Sequence, residues 1–391
     1  MQMSLTLINS RASEITVALC DIEVRLAPGE QRKQMVGMPE GPWLPVRLHA
    51  GGSSAELQIR RGSRAGHEAD YPVANFANIY QHVELGNGGS PVAMTLNIGT
   101  AFSSKHWMGQ LDLDEDATLA ALTLPGSHDT ATWKGSRASK CQTFDIRNQL
   151  NHGIRWFDLR LAVDGSDLKV WHGSEEQGLC LAKDLLPAIT GFLAAHPTEI
   201  VIVSVVNVSW DWDKKDFDGL LHKILMAGVP AGRLYDRNAV PRIADVRGCV
   251  VLMRQDEDAT YGILADHWPD DEKGVVWNDT GNIRYSVQNC YKFGPDYLAA
   301  KWALVKHQLD CAKTAADGEC WYVNYTSASR APITDPVDIA LAPEQQGINY
   351  RLHAYLCAQA VPSYFGLVPM DFPEQPAGLI KLLISMNKLK H

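Results

Sequence analysis

The chain has 391 residues, 46% of them hydrophobic and 21% charged, the balance of an ordinary globular protein long enough for two domains or for one large barrel with an appendage. No stretch approaches the ~20 consecutive apolar residues of a membrane span. A formal net charge of −9 speaks against nucleic acid as a partner and against electrostatic capture by anionic membranes.

The N-terminal segment MQMSLTLINSR shows no basic region followed by an apolar block, so no signal peptide is visible. Residues 1–105 read as all-β. SLTLINS, EITVALCDIEVRL, PVRLHA, AELQIRR and PVAMTLNIG alternate or are β-branched, with Gly, Pro, Asn and Ser between them. This predicts a small antiparallel sandwich with no catalytic constellation. GNGGS, Gly86 to Ser90, reads as a turn, since no Lys or helix follows it. Residues 106–117 are polar and acidic and read as a linker.

From Thr118 the texture changes to apolar runs alternating with helical patterns. Strands are predicted at Leu119–Leu124, Ile154–Leu161, Leu168–Trp171, Ile200–Val206, Cys249–Arg254, Trp321–Tyr325 and Leu367–Met370, with one more near Val275–Trp277 or Ser286–Gln288. Helical pieces are predicted at Leu181–Ala194, Asp216–Ala227, Asp296–Lys313, Pro336–Ala360 and Pro376–Leu389. This alternation over 118–391 predicts a parallel α/β barrel of the distorted TIM type, with chemistry at the C-terminal ends of its strands.

LTLPGSHDT places His128 and Asp129 just past the first of these strands. Both residue types are common in turns, so downstream residues decide their meaning. GIRWFDLRL alternates so that Trp156, Asp158 and Arg160 share one face and Phe157, Leu159 and Leu161 the other. The first set points into the barrel, where a charged pair is either a structural ion pair or binds a charged ligand. LKVWHG ends the next strand in His172. Two histidines at strand ends with an inward arginine between them suit phosphoryl transfer. One takes a proton from a nucleophilic hydroxyl, the other gives one to the leaving oxygen, and the arginine offsets phosphate charge. The eight cysteines form no CxxC pair and no zinc spacing; Cys311 and Cys320 could bridge a short loop.

PGSHDT, CQTFDIRNQLNHGIRWFDLRL, LKVWHG and HPTEIVIVSV, in this order and spacing, resemble the X region of the bacterial phosphatidylinositol-specific phospholipases C. The resemblance is close over residues 115–255. It continues more loosely through VRGCVVLMRQ, VQNCY, WYVNYTS and LVPMDF, and leaves the first 105 residues outside. It implies a distorted TIM barrel. It also implies His128 as general base, His172 as general acid and Asp129 as partner of the acid and of Arg160. Arg160 would contact the phosphate, Asp158 would join the same network, and Asp371 would orient the base. Arg254 and Tyr291 match inositol-contacting positions. Asn289 stands where an Asp is usual, and Val206 or Asn207 where the bacterial enzymes have Lys. A calcium-dependent branch of the family has acidic residues at the positions of Arg160 and Val206. Here they are a cation and an apolar side chain, so a metal-free enzyme without cofactor is expected.

The function so implied is cleavage of phosphatidylinositol, or of a glycosyl-phosphatidylinositol anchor, at a membrane surface, to diacylglycerol and inositol 1,2-cyclic phosphate. Two alternatives stand beside it. One is a phosphodiesterase acting on another head group. The other is a membrane- or glycan-binding protein that uses the barrel as scaffold. The β domain would be accessory, holding the enzyme at a membrane or glycan surface or merely covering one barrel face; attachment would need exposed aromatic residues such as Trp43 or Tyr80, packing inside the sandwich being their alternative. Trp210 and Trp212 in SWDWD, with Trp268 and Trp277, are candidates for lipid or sugar contact, loop packing being their alternative. The compartment stays open, secretion being favoured by the resemblance alone.

Overall fold

The computed structural model of the protein describes residues 2–20, 22–37, 43–60, 70–73, 77–85, 91–209, 214–257, 259–265, 267–272, 276–279, 283–293, 297–315, 318, 320–329, 334–343 and 346–387. Trp210, Trp212 and the Gly86–Ser90 turn lie outside these residues, as do the side chains of Trp43 and Trp277. The strands are β1 (Gln2–Asn9), β2 (Ile15–Leu19), β3 (Ile22–Leu26), β4 (Gln31–Gly37), β5 (Trp43–Ala50), β6 (Ser53–Arg60), β7 (Asp70–Val73), β8 (Ala77–Leu85), β9 (Pro91–Gly99), β10 (Leu124–Ser127), β11 (Trp156–Asp164), β12 (Asp167–His172), β13 (Glu175–Cys180), β14 (Val201–Asn207), β15 (Leu234–Tyr235), β16 (Val250–Arg254), β17 (Ile263–Leu264), β18 (Val276–Asp279), β19 (Arg284–Gln288), β20 (Cys320–Asn324) and β21 (Leu367–Met370). The helices are α1 (Trp107–Gln110), α2 (Ile146–His152), α3 (Leu186–Ala195), α4 (Lys214–Gly228), α5 (Tyr297–Thr314), α6 (Pro336–Leu341), α7 (Ile348–Cys357) and α8 (Leu379–Ser385).

The chain divides into two compact units. The first comprises Met1–Ser103, Leu341–Ser363 and Glu374–Asn387. Its strands form two sheets, β4-β1-β9-β8-β7 and β3-β2-β5-β6. Alternation in the strands turns Leu5, Leu7, Val17, Leu19, Leu48, Ile79, Leu96 and Ile98 into one apolar core shared by both sheets. Helices α7 and α8 belong to this unit. The Asn97 amide ties β9 to the end of α7 by donating to the carbonyls of Cys357 (3.0 Å) and Gln359 (2.9 Å). Tyr80, read above as a candidate for docking, is fully buried, and its hydroxyl donates to the Lys381 carbonyl.

The second unit spans Ser104–Ala340 and Tyr364–Pro373. Its heart is a parallel sheet in the order β16-β14-β11-β10-β21-β20-β19. The strands are apolar runs buried on both faces, as parallel strands are. Among the described residues no ladder joins β16 to β19. The register sorts side chains into two faces. Gly126, Trp156, Ile202 and Val251 lie in one row, so Asp158, Arg160, Ser204, Val206 and Met253 share their face. The opposite face meets the helices: Arg254 reaches Asp218 of α4, and Gln288 reaches Lys301 of α5.

Three local expectations are corrected. The strand expected at Leu119–Leu124 is a helical turn at Leu119–Ala121, with the strand beginning at Leu124. Pro125 and Gly126, read as its end, lie inside it. A Cβ on Gly126 would meet the Trp156 ring at 3.0 Å and Pro369 Cα at 3.3 Å, so the glycine permits close strand packing there. β12 runs antiparallel to β11 as a hairpin closed by Gly165 at φ 60°, so His172 ends a ribbon beside the parallel sheet and not one of its strands. Residues 106–117, read as a linker, are packed into the second unit. Trp107 is fully buried and donates its Nε1–H to the Gly153 carbonyl, and Leu111 and Leu113 are buried too. No disulfide joins any of the eight cysteines, Cys311 and Cys320 included.

Candidate active site

β10 is held between β11 and β21, and the chain leaves it at His128, whose backbone N–H donates to the Met370 carbonyl (3.0 Å). Continued strand alternation would send His128 and Asp129 to opposite faces. Asp129 instead adopts φ 41°, in the left-handed region that Asp tolerates, and both side chains reach one cluster. The Gln142 amide fixes the turn by donating to the carbonyls of His128 (2.7 Å) and Met370 (2.9 Å).

The Asp129 carboxylate is the hub. Its Oδ1 pairs with Arg160 Nε at 2.8 Å. Its Oδ2 lies 3.3 Å from His128 Nε2 and 3.4 Å from His172 Nε2. Arg160 Nη2 reaches His128 Nε2 at 3.1 Å and lies 3.7 Å from Asp158 Oδ2. On its other nitrogen, His128 Nδ1 is 2.8 Å from Asp371 Oδ1. A carboxylate can only accept and a guanidinium only donate, so the proton sits on Nδ1 and the lone pair on Nε2. His172 Nδ1–H donates to the Ser139 carbonyl at 2.7 Å, which turns Nε2 toward Asp129. The 136–139 turn that supplies this carbonyl is pinned by Glu175, which accepts from the Ser136 N–H (2.8 Å) and hydroxyl (2.6 Å).

The three carboxylates are covered and the working groups are not. Side-chain exposure is 1% for Asp129 and Asp158 and 2% for Asp371, against 15% for His128, 23% for His172 and 33% for Arg160. Burial alone would lower the His128 pKa. The charges of Asp129 and Asp371, with the Asp371 hydrogen bond, outweigh burial and the opposing Arg160 and hold it above the ordinary histidine value. Burial likewise resists ionisation of Asp129, but Arg160, His128 and His172 hold it below the usual carboxylate range. At Asp158 burial wins over Arg160, with Asp129 adding repulsion, and the pKa is raised. An aromatic wall stands beside the cluster: Tyr325 meets the His128 ring edge-on at 5.8 Å, Trp156 at 6.1 Å and Trp268 at 6.4 Å.

The structure thus brings together His128, Asp129, Asp158, Arg160, His172 and Asp371. The residues expected to bind the sugar are placed differently. Arg254 lies on the helix-facing side of β16, buried and paired with Asp218 (2.7 Å) and Asp256 (2.8 Å), with the rings of Phe217 and Tyr261 5.6 Å and 5.4 Å from its guanidinium carbon. Asn207 also lies on that side, its Oδ1 capping the Ser209 N–H (2.9 Å), while Val206 takes the Arg160 side. Asn289 donates to the Pro269 carbonyl (2.8 Å), and the Tyr291 hydroxyl to Asp270 (2.7 Å). The sequence reading missed Ser139, Tyr325, Gln142 and Cys141, none of which carries a local signal of chemistry. Groups able to hold a metal ion also meet here: His128–Cys141–Asp371, Asp129–Cys141–His172 and His128–Asp129–Asp158, the ligand atoms of each within 4.8 Å of one another.

Residues 117–256 match the family described as phosphatidylinositol-specific phospholipase C, X domain. The chain is 28% identical over 247 residues to a 1-phosphatidylinositol phosphodiesterase of Staphylococcus aureus, a match covering 58% of this chain and 76% of that one. It is 26% identical over 300 residues to the enzyme of the same name from Listeria monocytogenes, covering 74% and 87%. A solved phosphatidylinositol-specific phospholipase C of S. aureus matches the structure with a TM-score of 0.64 at 23% identity, covering 73% of this chain and 98% of that one. The phosphatidylinositol-specific phospholipase C of L. monocytogenes matches with a TM-score of 0.57 at 23% identity, covering 74% and 100%.

Proposed function

We propose that this chain, whose residues 117–256 belong to the phosphatidylinositol-specific phospholipase C X-domain family, is an enzyme that cleaves the phosphodiester of phosphatidylinositol at a membrane surface. One observation carries the reading. Two imidazole Nε2 atoms, at 3.3 Å and 3.4 Å, converge on a single carboxylate oxygen, with a guanidinium alongside.

In the proposed reaction the inositol 2-hydroxyl attacks phosphorus while His128 Nε2 takes its proton. The bond from phosphorus to the diacylglycerol oxygen breaks, and His172 gives that oxygen a proton. The products are diacylglycerol and inositol 1,2-cyclic phosphate; no water is consumed, and exchange with solvent resets both histidines. Arg160 offsets charge on the phosphoryl oxygens. Asp371 holds the proton of His128 on Nδ1, and the Ser139 carbonyl does the same for His172. The parallel sheet is read as the wall of a distorted TIM barrel, and the N-terminal β unit as an accessory module.

A second reading has its own motive. Arg254 and Asn207 face the helices, and Val206 brings no charge to the side it occupies, so neither the Arg254 position nor the Val206–Asn207 position presents a charge on the face of Arg160. A phosphodiester lipid with another head group would use the same histidines. Turnover on a panel of phosphatidylinositol, glycosyl-phosphatidylinositol, phosphatidylcholine and phosphatidylglycerol vesicles separates the two. Phosphorus NMR of the product tests the mechanism, since a cyclic phosphate signals attack by the neighbouring hydroxyl. Turnover of another lipid with none of the inositol lipids would replace the first reading by the second.

A further inference from the structure

The proposed reaction gives the Cys141 thiol no role. Cys141 is fully buried, yet its sulfur is within 4.8 Å of Asp129 and His172 ligand atoms. We propose that Cys141 Sγ, His172 Nε2 and Asp129 Oδ2 form an inhibitory site for a soft divalent cation, of which Zn²⁺ is the type, with a fourth position open to water.

The donor set is that of zinc: one thiolate, one imidazole and one carboxylate. The nitrogen–oxygen donor pair has the spacing zinc needs. Zinc bonds of about 2.0–2.2 Å to nitrogen and oxygen at a tetrahedral angle span about 3.3–3.5 Å between donors. His172 Nε2 and Asp129 Oδ2 are 3.4 Å apart. Both side chains are already aimed by outer hydrogen bonds. His172 Nδ1–H donates to a backbone carbonyl, which leaves Nε2 free to ligate, and Arg160 holds Asp129 by Oδ1 and leaves Oδ2 directed at the site. The field favours a cation, since Asp129, Asp158 and Asp371 outnumber the one guanidinium among them. Burial first, then Asp371 and Asp129, push the Cys141 thiol well above its ordinary pKa. The thiol proton would leave to solvent as the metal binds.

Inhibition follows because the metal takes the nitrogen from which His172 would protonate the leaving oxygen. The inhibition rests on that proposed role; the binding does not. The test uses the full chain, stripped of metal, as wild type, Cys141→Ser and Cys141→Ala. Co²⁺ is added and the sulfur-to-cobalt charge-transfer absorption recorded; Zn²⁺ binding is measured by calorimetry, and turnover of phosphatidylinositol is followed as Zn²⁺ rises. Wild type should show the absorption, lose turnover with the midpoint of binding, and recover in EDTA. Both variants should lack the absorption and, each measured against its own metal-free turnover, need at least ~10-fold more Zn²⁺ for half-inhibition. Absence of the absorption in wild type, or equal zinc sensitivity in the variants, overturns the site and leaves the role of His172 untouched. Absorption with undiminished turnover overturns the inhibition, and with it the assignment of His172 as acid.

Discussion

Asp371→Asn removes one charge and little volume at the back of the proposed base. The wild-type carboxylate lies 2.8 Å from His128 Nδ1 and is 2% exposed. A hydrogen bond to a charged group is worth about 1.5–3 kcal/mol, which converts to about 10- to 150-fold in rate if the bond strengthens as His128 takes its proton. The amide has two ways to sit. With its NH₂ toward Nδ1 it forces the proton to Nε2 and abolishes the base; with its oxygen there it keeps the tautomer but not the charge. Either way turnover should fall by about 10²-fold. The pH profile gives a second readout with a fixed sign. The base must be unprotonated, so the rate falls on the acid side as His128 gains its proton. Asp371 helps hold the His128 pKa above its ordinary value, so its loss should move the acid limb to lower pH. The assay is kcat against pH on phosphatidylinositol, with circular dichroism to confirm the fold. A folded Asp371→Asn enzyme with kcat within threefold of wild type and an unmoved acid limb would refute the assignment of His128 as base.

His128→Ala and His172→Ala should each lower turnover more than ~10³-fold in folded protein; near-normal turnover by either variant would remove that histidine from the proton transfers. Activity should survive EDTA, and Arg160→Lys should be poor, because a lysine cannot span Asp129 and His128 as the guanidinium does; loss in EDTA with recovery in Ca²⁺ contradicts the metal-free reading. Glu199→Ala should cost about 3–5 kcal/mol in urea denaturation, because Arg155 and Glu199 are fully buried partners 2.7 Å apart; a loss below ~1 kcal/mol would mean the backbone carbonyls around Arg155 suffice. A chain beginning at Leu111 loses β8 and β9, to which α7 is tied by Asn97 and by the Cys357 thiol on the Tyr80 carbonyl, so limited proteolysis should cut first within 341–387; resistance there equal to the full chain would show that these helices hold without the N-terminal strands.

Much of the site was legible because it is local. WFDLRL alternates polar and apolar residues, so the face carrying Asp158 and Arg160 could be counted from the sequence. VVLM before Arg254 is apolar without interruption and offers no such count; the resemblance alone matched Arg254 to a sugar-contacting position, and its side chain reaches Asp218 of α4. Asp371 is 243 positions from His128, a pairing only the family resemblance could suggest. Asp164–Gly165 carried a hairpin signal that the strand–helix rhythm overrode, and so β12 was taken for a strand of the parallel sheet. In the first unit, alternation marked the strands, but nothing in residues 341–387 announced that α7 and α8 would cluster with them.

The adjacency of His128 and Asp129 is the feature least expected from strand geometry and the one on which the cluster depends. Two neighbours in a strand point apart, and a carboxylate on the helix side could not lie between two imidazoles on the other. The strand ends at Ser127, two residues before Asp129, whose backbone at φ 41° breaks the alternation. Sheet register fixes the remaining partners. Arg160 comes from the neighbouring strand on one side, and Asp371 from just past the end of the neighbouring strand on the other. His172 arrives on a hairpin that continues from the strand of Arg160, so one ribbon delivers both the guanidinium and the second imidazole. A single buried carboxylate then orients three partly exposed groups, each of which can move a proton or bind an anion without moving its anchor.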